Sequence, residues 1–281
     1  MTRVAAFINT NRQEAIDLAG GLIDWIESAG HSCVLIGDSA RAVNREDLAI
    51  SEEEVDDSID LAITLGGDGS ILFMVRAVGD YGIPVMGINL GRMGYLSEVE
   101  PGLAQNRIQE FFEGRYSIEE RMRLEILIDG ETNPLRGLNE AVIEKVDIGR
   151  TVRLGLDING DFFTSYATDG LIIATPTGST AYSLSARGPI IDPMHRALLL
   201  TPVAPHSLFD RAVVLSPDDH LRIQVLPDCD ASIALDGQIV NQLEVGQSLL
   251  CTAAKKPARL VSFGGSNFHR VLKAKFGLSD R

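Results

Sequence analysis

The spacing of apolar residues changes near Tyr116, and this limits the possible folds more than any other feature. Before it, short apolar runs alternate with helical patterns. Val4–Ile8 suits a buried strand, and Gln13 to Ala29 then carries Ile16, Ala19, Leu22, Ile23 and Ile26 at helical spacing, with Gly30 where a C-terminal cap belongs. Cys33–Ile36, Leu61–Leu65 and Pro84–Ile88 read as further strands, and Ile71 to Val78 as a helix. Ser51 and Glu54 form a capping-box pattern over an acidic, solvated helix start. Strand and helix in alternation predict a parallel sheet covered by helices, so residues 1–118 are expected to form a Rossmann-like α/β domain.

After Tyr116 the runs become short and strand-like. Leu124–Ile128, Val152–Ile158, Phe162–Tyr166, Leu171–Ala174, Val213–Leu215, Leu221–Val225, Ser232–Leu235 and Ala258–Ser262 all fit. Asn159-Gly160 and Asp236-Gly237 are hairpin turn signals. A β-sandwich-like domain is expected over 119–266. A C-terminal helix, Asn267 to Phe276 within 267–281, is expected to pack back on the first domain.

Charge removes several functions. The net charge of the 281 residues is −14, which argues against nucleic-acid and anionic-membrane binding, since both depend on clustered Lys and Arg. Residues 1–118 hold eight basic residues against nineteen acidic, and the first lysine is Lys145. A P-loop is therefore impossible in the first half, and any phosphate bound there must meet backbone N–H groups, arginine or a metal ion. Cys33, Cys229 and Cys251 form no CxxC pair, and the five histidines show no zinc spacing. The start, MTRVAAFINTNRQEA, has too short an apolar stretch for a signal peptide, and no run approaches a membrane span. A cytoplasmic protein is expected.

Two segments carry chemistry. Gly66-Gly67-Asp68-Gly69-Ser70 lies between a strand and a helix, where backbone can approach a ligand closely. Asp68 there either binds a cation or takes a proton from an attacking hydroxyl, or it merely caps the helix; spacing alone prefers neither. Thr168–Ser185 runs from a strand into a small-residue turn, where Ser179 or Thr180 can cap a short helix and Tyr182 offers a flat face for a base. Asn139-Glu140, leading the apolar Ala141-Val142-Ile143, would pass alone as a turn.

Together these segments resemble the NAD kinases, within the larger group of GGDG kinases that includes diacylglycerol kinases and 6-phosphofructokinases. The resemblance covers Gly66–Ser70, Gly87–Leu96, Glu119–Leu124, Asn139-Glu140 and Asp169–Ser185, and so spans nearly the whole chain. It implies transfer of the γ-phosphoryl group of ATP to the 2′-hydroxyl of NAD's adenosine ribose, with Mg²⁺ or alternatively Mn²⁺ as cofactor. By the same resemblance Asp68 is the catalytic base and Gly69 a dinucleotide contact. Asn139 and Glu140 bind the acceptor ribose, and Asp169 faces the nicotinamide-side ribose with Ala167 in the same loop. Thr180, Ala181, Tyr182 and Ser185 match the adenine and ribose stretch. Arg150 and Gln238 match further contacts, and a homodimer or homotetramer is implied. Relatives often place a cation soon after GGDG, whereas here Phe73 intervenes and Arg76 is the first. A lipid kinase would share GGDG but needs an apolar acceptor cleft, which the polar Asp169–Ser185 block does not offer. A silent NAD(H)-binding regulator is the third reading, against which the intact Asp68 argues.

Overall fold

The computed structural model describes residues 1–91, 94–147, 149–207, 209–264 and 268–278. In chain order the elements are β1 (Arg3–Ile8), α1 (Gln13–Ser28), β2 (Ser32–Ile36), α2 (Ser39–Ala42), β3 (Ala49–Ile50), β4 (Leu61–Gly66), α3 (Asp68–Val78), β5 (Pro84–Asn89), α4 (Ala104–Phe112) and β6 (Ser117–Arg121). Next come β7 (Leu124–Ile128), β8 (Leu135–Gly137), β9 (Glu140–Lys145), β10 (Val152–Ile158), β11 (Asp161–Thr168), β12 (Gly170–Ala174) and α5 (Tyr182–Ser185). They are followed by β13 (Leu198–Val203), β14 (Val213–Leu215), β15 (Leu221–Val225), β16 (Ala231–Leu235), β17 (Gln238–Leu243) and β18 (Ser248–Ala253). The last are β19 (Ala258–Ser262) and α6 (Phe268–Lys275).

The chain divides into two units, 1–120 with 258–281 and 121–257. The first holds a seven-stranded sheet in the order β3-β2-β1-β4-β5-β19-β6. The pairs β2–β3, β1–β2, β1–β4, β4–β5 and β5–β19 are parallel. Every residue of β4 is buried, as a strand covered on both faces requires. α1 presents Ala15, Ala19, Leu22, Ile23 and Ile26 to the sheet and ends at Gly30, whose φ of 84° is the left-handed stop its sequence predicts. The buried Leu and Ile side chains each contribute roughly 1.5–3 kcal/mol, and the two alanines less. From β1 the sheet grows one way to β2 and β3 and the other way to β4 and β5. This reversal leaves a crevice beyond the C-terminal ends of β1 and β4, the usual ligand position in such sheets.

One expectation is corrected. Ala258–Ser262 is a strand, but it pairs with β5 in the parallel sheet rather than joining the β domain, so the second unit ends at 257 and not 266. A five-residue apolar run does not say which sheet receives it, because its partner strand lies far upstream. α6 belongs to the first unit, and Asn267 lies outside the described residues. The acidic 52–57 stretch makes only a single turn, Glu52–Glu54, with the Ser51–Glu54 capping box in place.

The second unit is two antiparallel six-stranded sheets, β11-β10-β15-β18-β7-β8 and β14-β13-β12-β9-β16-β17. Leu154, Leu221, Ile223 and Leu249 of one meet Ile143, Leu171, Ile173 and Leu200 of the other in a single core. β15 alternates buried and exposed along its length. β12 and β16 are buried throughout, because Ala186 and Ile191 cover the outer face of their sheet. Both predicted hairpins form, with positive φ at Asn159 (55°) and Gly160 (89°) and at Asp236 (49°) and Gly237 (78°).

Candidate active site

In the first unit Asp68 opens α3, with Gly67 as the N-cap residue. Its carboxylate does not cap its own helix. Oδ2 accepts the Tyr95 N–H at 2.8 Å, while Oδ1 accepts the Leu96 N–H at 3.2 Å and the N–H and hydroxyl of Ser97, both at 3.4 Å. Three successive amides thus hold the carboxylate from the loop after β5. Gly94 makes the approach possible: a Cβ there would overlap Asp68 Oδ1 and stand 2.6 Å from its Cγ. Gly94 and Ser97 also line a cavity of about 570 Å³ together with Asn89, Arg107, Phe263 and Arg270. Gly69, exposed on the first turn of α3, faces open space.

In the second unit the neighbouring strands β12, β9 and β16 gather a polar cluster at one edge. Asp236, in the β16–β17 turn, accepts the N–H groups of Leu138 and Asn139 at 2.7 Å each and of Glu140 at 3.2 Å. Its own N–H donates to the Glu140 carbonyl at 2.9 Å. Just after β12, the Thr175 N–H donates to the Asn139 carbonyl at 2.9 Å and the Thr175 hydroxyl to the Leu138 carbonyl at 2.6 Å. A Cβ on Gly178 would run into the Asn139 carbonyl, so the turn can close on this strand only with glycine there.

Glu140 is 5% exposed, and among the described residues its Oε2 has no hydrogen-bond partner. Burial and the nearby Asp236 carboxylate push its carboxyl up to about 7, against the pull of the Tyr182 N–H. The Tyr182 phenol is raised too, by burial and then by Glu144 and Asp169. Tyr182 thus reaches Glu140 through its backbone N–H, while its phenol feels the charges of Glu144 and Asp169 through space. At the far end of these strands Asp169 precedes β12 and pairs with Lys145 Nζ of β9 at 2.5 Å. Across β12, about 20 Å of extended chain separates Asp169 from Thr175.

The remaining residues are more scattered. Thr180 and Ala181 connect the 177–180 turn to α5, and Ser185 is exposed at its end. Neither Ser179 nor Thr180 caps α5: the N-cap is Ala181, and the Ser179 hydroxyl bonds the Pro176 and Ile191 carbonyls instead. Ala167 pairs with Arg153 inside the β10–β11 ladder. Gln238 is exposed beside the Asp236 turn, and Arg150 is exposed in the 149–151 segment. Sequence reasoning missed Asp236, Lys145 and the 95–97 amides. Asp236 was already accounted for as a turn residue, and Lys145 lies 24 positions from its partner.

Family models agree with this two-part construction. One described as the ATP-NAD kinase N-terminal domain matches residues 4–116, and one described as the ATP-NAD kinase C-terminal domain matches 138–263. A protein named NAD kinase from Heliobacterium modesticaldum is 37% identical over 281 residues, covering 98% of each chain. Another of that name, from Desulforamulus reducens, is 35% identical over 285 residues, covering 98% of this chain and 97% of its own. Among solved structures, yeast NADH kinase complexed with NADH superposes with a TM-score of 0.91 at 24% identity, covering all of this chain and 89% of that one. An NAD kinase from Archaeoglobus fulgidus in complex with ATP gives 0.76 at 21% identity over the whole of both chains. The structures share the fold; the full-length sequence matches and the paired domain models go further, and by them the chain belongs to the NAD kinase family.

Proposed function

We propose that the protein phosphorylates NAD, moving the γ-phosphoryl group of ATP to the 2′-hydroxyl of the adenosine ribose and releasing NADP and ADP. The observation that carries this reading is the Asn139-Glu140 cluster: a buried carboxyl with one oxygen unpartnered among the described residues, on a strand start held by Thr175 and by the Asp236 carboxylate of the β16–β17 turn. A buried acceptor without a donor is a costly arrangement unless a ligand hydroxyl satisfies it. The span along β12, from Thr175 to the Lys145–Asp169 pair, suits an extended two-nucleotide ligand. Asn139, Glu140, Tyr182, Thr180, Ala181 and Ser185 would then hold the adenosine side and Asp169 with Ala167 the nicotinamide side. Arg150 and Gln238 remain assigned by resemblance alone.

Asp68 is the group to accept the proton as the ribose oxygen bonds to phosphorus and the β–γ bridging bond breaks. Its Oδ2, with one N–H partner among the described residues, keeps a lone pair for that proton, while the amides on Oδ1 fix its orientation. Among the described residues no three His, Cys, Asp or Glu side chains gather to hold a metal. One carboxylate beside a phosphate site suits Mg²⁺, or Mn²⁺, which binds mainly through phosphate oxygens and water and would neutralise charge there. No helix among the described residues is long and apolar enough to cross a membrane. The three free, buried cysteines support a cytoplasmic setting. The exposed Phe162, Phe163 and Phe209 support assembly into a homodimer or homotetramer.

The test is incubation with Mg·ATP and NAD, followed by an NADP-specific readout. NADP should form, and Asp68→Asn should lower kcat about 10²- to 10⁴-fold with NAD binding kept. Absence of NADP from the wild-type protein would refute the reading.

A further inference from the structure

The first unit is strongly acidic, so a phosphate chain bound there would gain from a nearby guanidinium as well as from backbone N–H groups and a metal ion. Of its arginines, Arg259 donates to the Gly82 carbonyl, Arg270 lines the cavity described above, and several others are committed to carboxylates or rings. Arg3 pairs with Asp56, Arg45 with Asp24, Glu27 and Asp47, Arg107 with Glu110, and Arg115 with Glu113. Arg76, the first cation after GGDG, lies over the Phe73 ring at 5.6 Å, and Phe73 itself stacks on Phe7. Arg92 falls outside the described residues, and Arg41 sits in the last turn of α2.

Arg12 differs from these. It follows β1 at the strand-order reversal, across from the GGDG loop that follows β4. The Asn9 N–H donates to the Leu65 carbonyl at 3.0 Å, and a Cβ on Gly66 would stand 3.1 Å from the Asn9 Cβ, so the two loops touch. Arg12 Nη1 donates to the Leu90 carbonyl at 2.5 Å, and the Leu90 N–H donates to the Gly66 carbonyl at 2.9 Å. The guanidinium rests against Gly91, where a Cβ would stand 3.2 Å from both terminal nitrogens; Gly91 also lines the 570 Å³ cavity. Arg12 is exposed, and among the described residues no carboxylate pairs with it. An exposed guanidinium anchored by one carbonyl, at the crevice of a parallel sheet, has donors left for an oxyanion.

We propose that Arg12 binds the phosphate chain of a nucleotide substrate in this crevice, and that the chain is the donor triphosphate. The assignment of donor rests on the kinase reading above; the phosphate contact itself does not.

Two variants separate charge from anchoring. Arg12→Gln keeps a donor for the Leu90 carbonyl and loses the charge, whereas Arg12→Lys keeps the charge. Binding of inorganic tripolyphosphate and of NAD is measured by calorimetry, the KM for ATP by steady-state assay, and the fold by thermal melting. Arg12→Gln should weaken tripolyphosphate binding and raise the KM for ATP about 10- to 100-fold, with NAD binding unchanged, and Arg12→Lys should recover most of the loss. Weakened NAD binding with ATP untouched would keep the phosphate contact but overturn the donor assignment, moving it to the dinucleotide's pyrophosphate. Equal losses in both variants, or no change for any phosphate ligand, would overturn the proposal. Arginine-dependent tripolyphosphate binding by a protein that makes no NADP would fault the kinase reading alone.

Discussion

Ionising Glu140 inside the second unit means charging a buried carboxyl close to the Asp236 carboxylate, and this sets a pH dependence. With its folded value near 7 and an unfolded value near 4.5, the native state holds the extra proton between those limits. The Glu140 contribution to stability is therefore fullest below about pH 4.5, falls as pH rises through that window, and is smaller by about 3 kcal/mol above pH 7. Glu140→Gln mimics the protonated form, so it should stabilise the protein at pH 8 by up to that amount and change little at pH 4, read by urea denaturation. The same variant should bind NAD more weakly. A stability difference equal at both pH values would mean another group titrates. Gly94→Ala acts on the first unit: its Cβ would push Asp68 out of the 95–97 amides, so kcat should fall by about 10²-fold or more while the melting temperature moves little. Unfolding without a separable kcat loss would make Gly94 a purely structural residue. Asp68 itself was legible as a candidate from its place between strand and helix. Its partners were not, because amides 27 to 29 residues away leave no trace in local spacing.

Among the elements, the β16–β17 hairpin does two things at once. The Asp236-Gly237 turn reverses the chain, and its aspartate holds the leading edge of β9 by three amides. Asp236→Ala should leave those N–H groups without an acceptor, at about 1–3 kcal/mol for each one kept from water, and should weaken NAD binding. Asp236→Asn keeps an acceptor oxygen and removes the charge, so the Glu140 titration should drop part of the way, burial still holding it up, followed by the carboxyl NMR signal across a pH series. An unmoved Glu140 titration would show that burial alone raises it. The hairpins at 159–160 and 236–237 could be read directly because the left-handed conformation at successive positions selects Asn, Asp and Gly. The sheet that takes β19 could not, since parallel pairing is decided by distant strands rather than by turn chemistry.

For the molecule as a whole, the first unit is built from both ends of the chain and the second from one continuous stretch. β19 stands between β5 and β6, so a fragment of residues 1–120 would leave the β5 edge open and β6 without its neighbour. That fragment should aggregate or stay partly unfolded, whereas 121–257, with both sheets and their shared core, should melt cooperatively alone. A cooperative melt from 1–120 would show that β19 is dispensable. The same arrangement bears on synthesis. A ribosome releases β5 long before β19 leaves the exit tunnel, so the second unit can mature while the parallel sheet is still missing an inner strand. A stop codon just after residue 257 would spare every residue of the second unit and all of α1 to α4. It would still leave the nascent GGDG half without a finished sheet to stand on, a loss that chaperone binding to the truncated chain would register before any assay of activity.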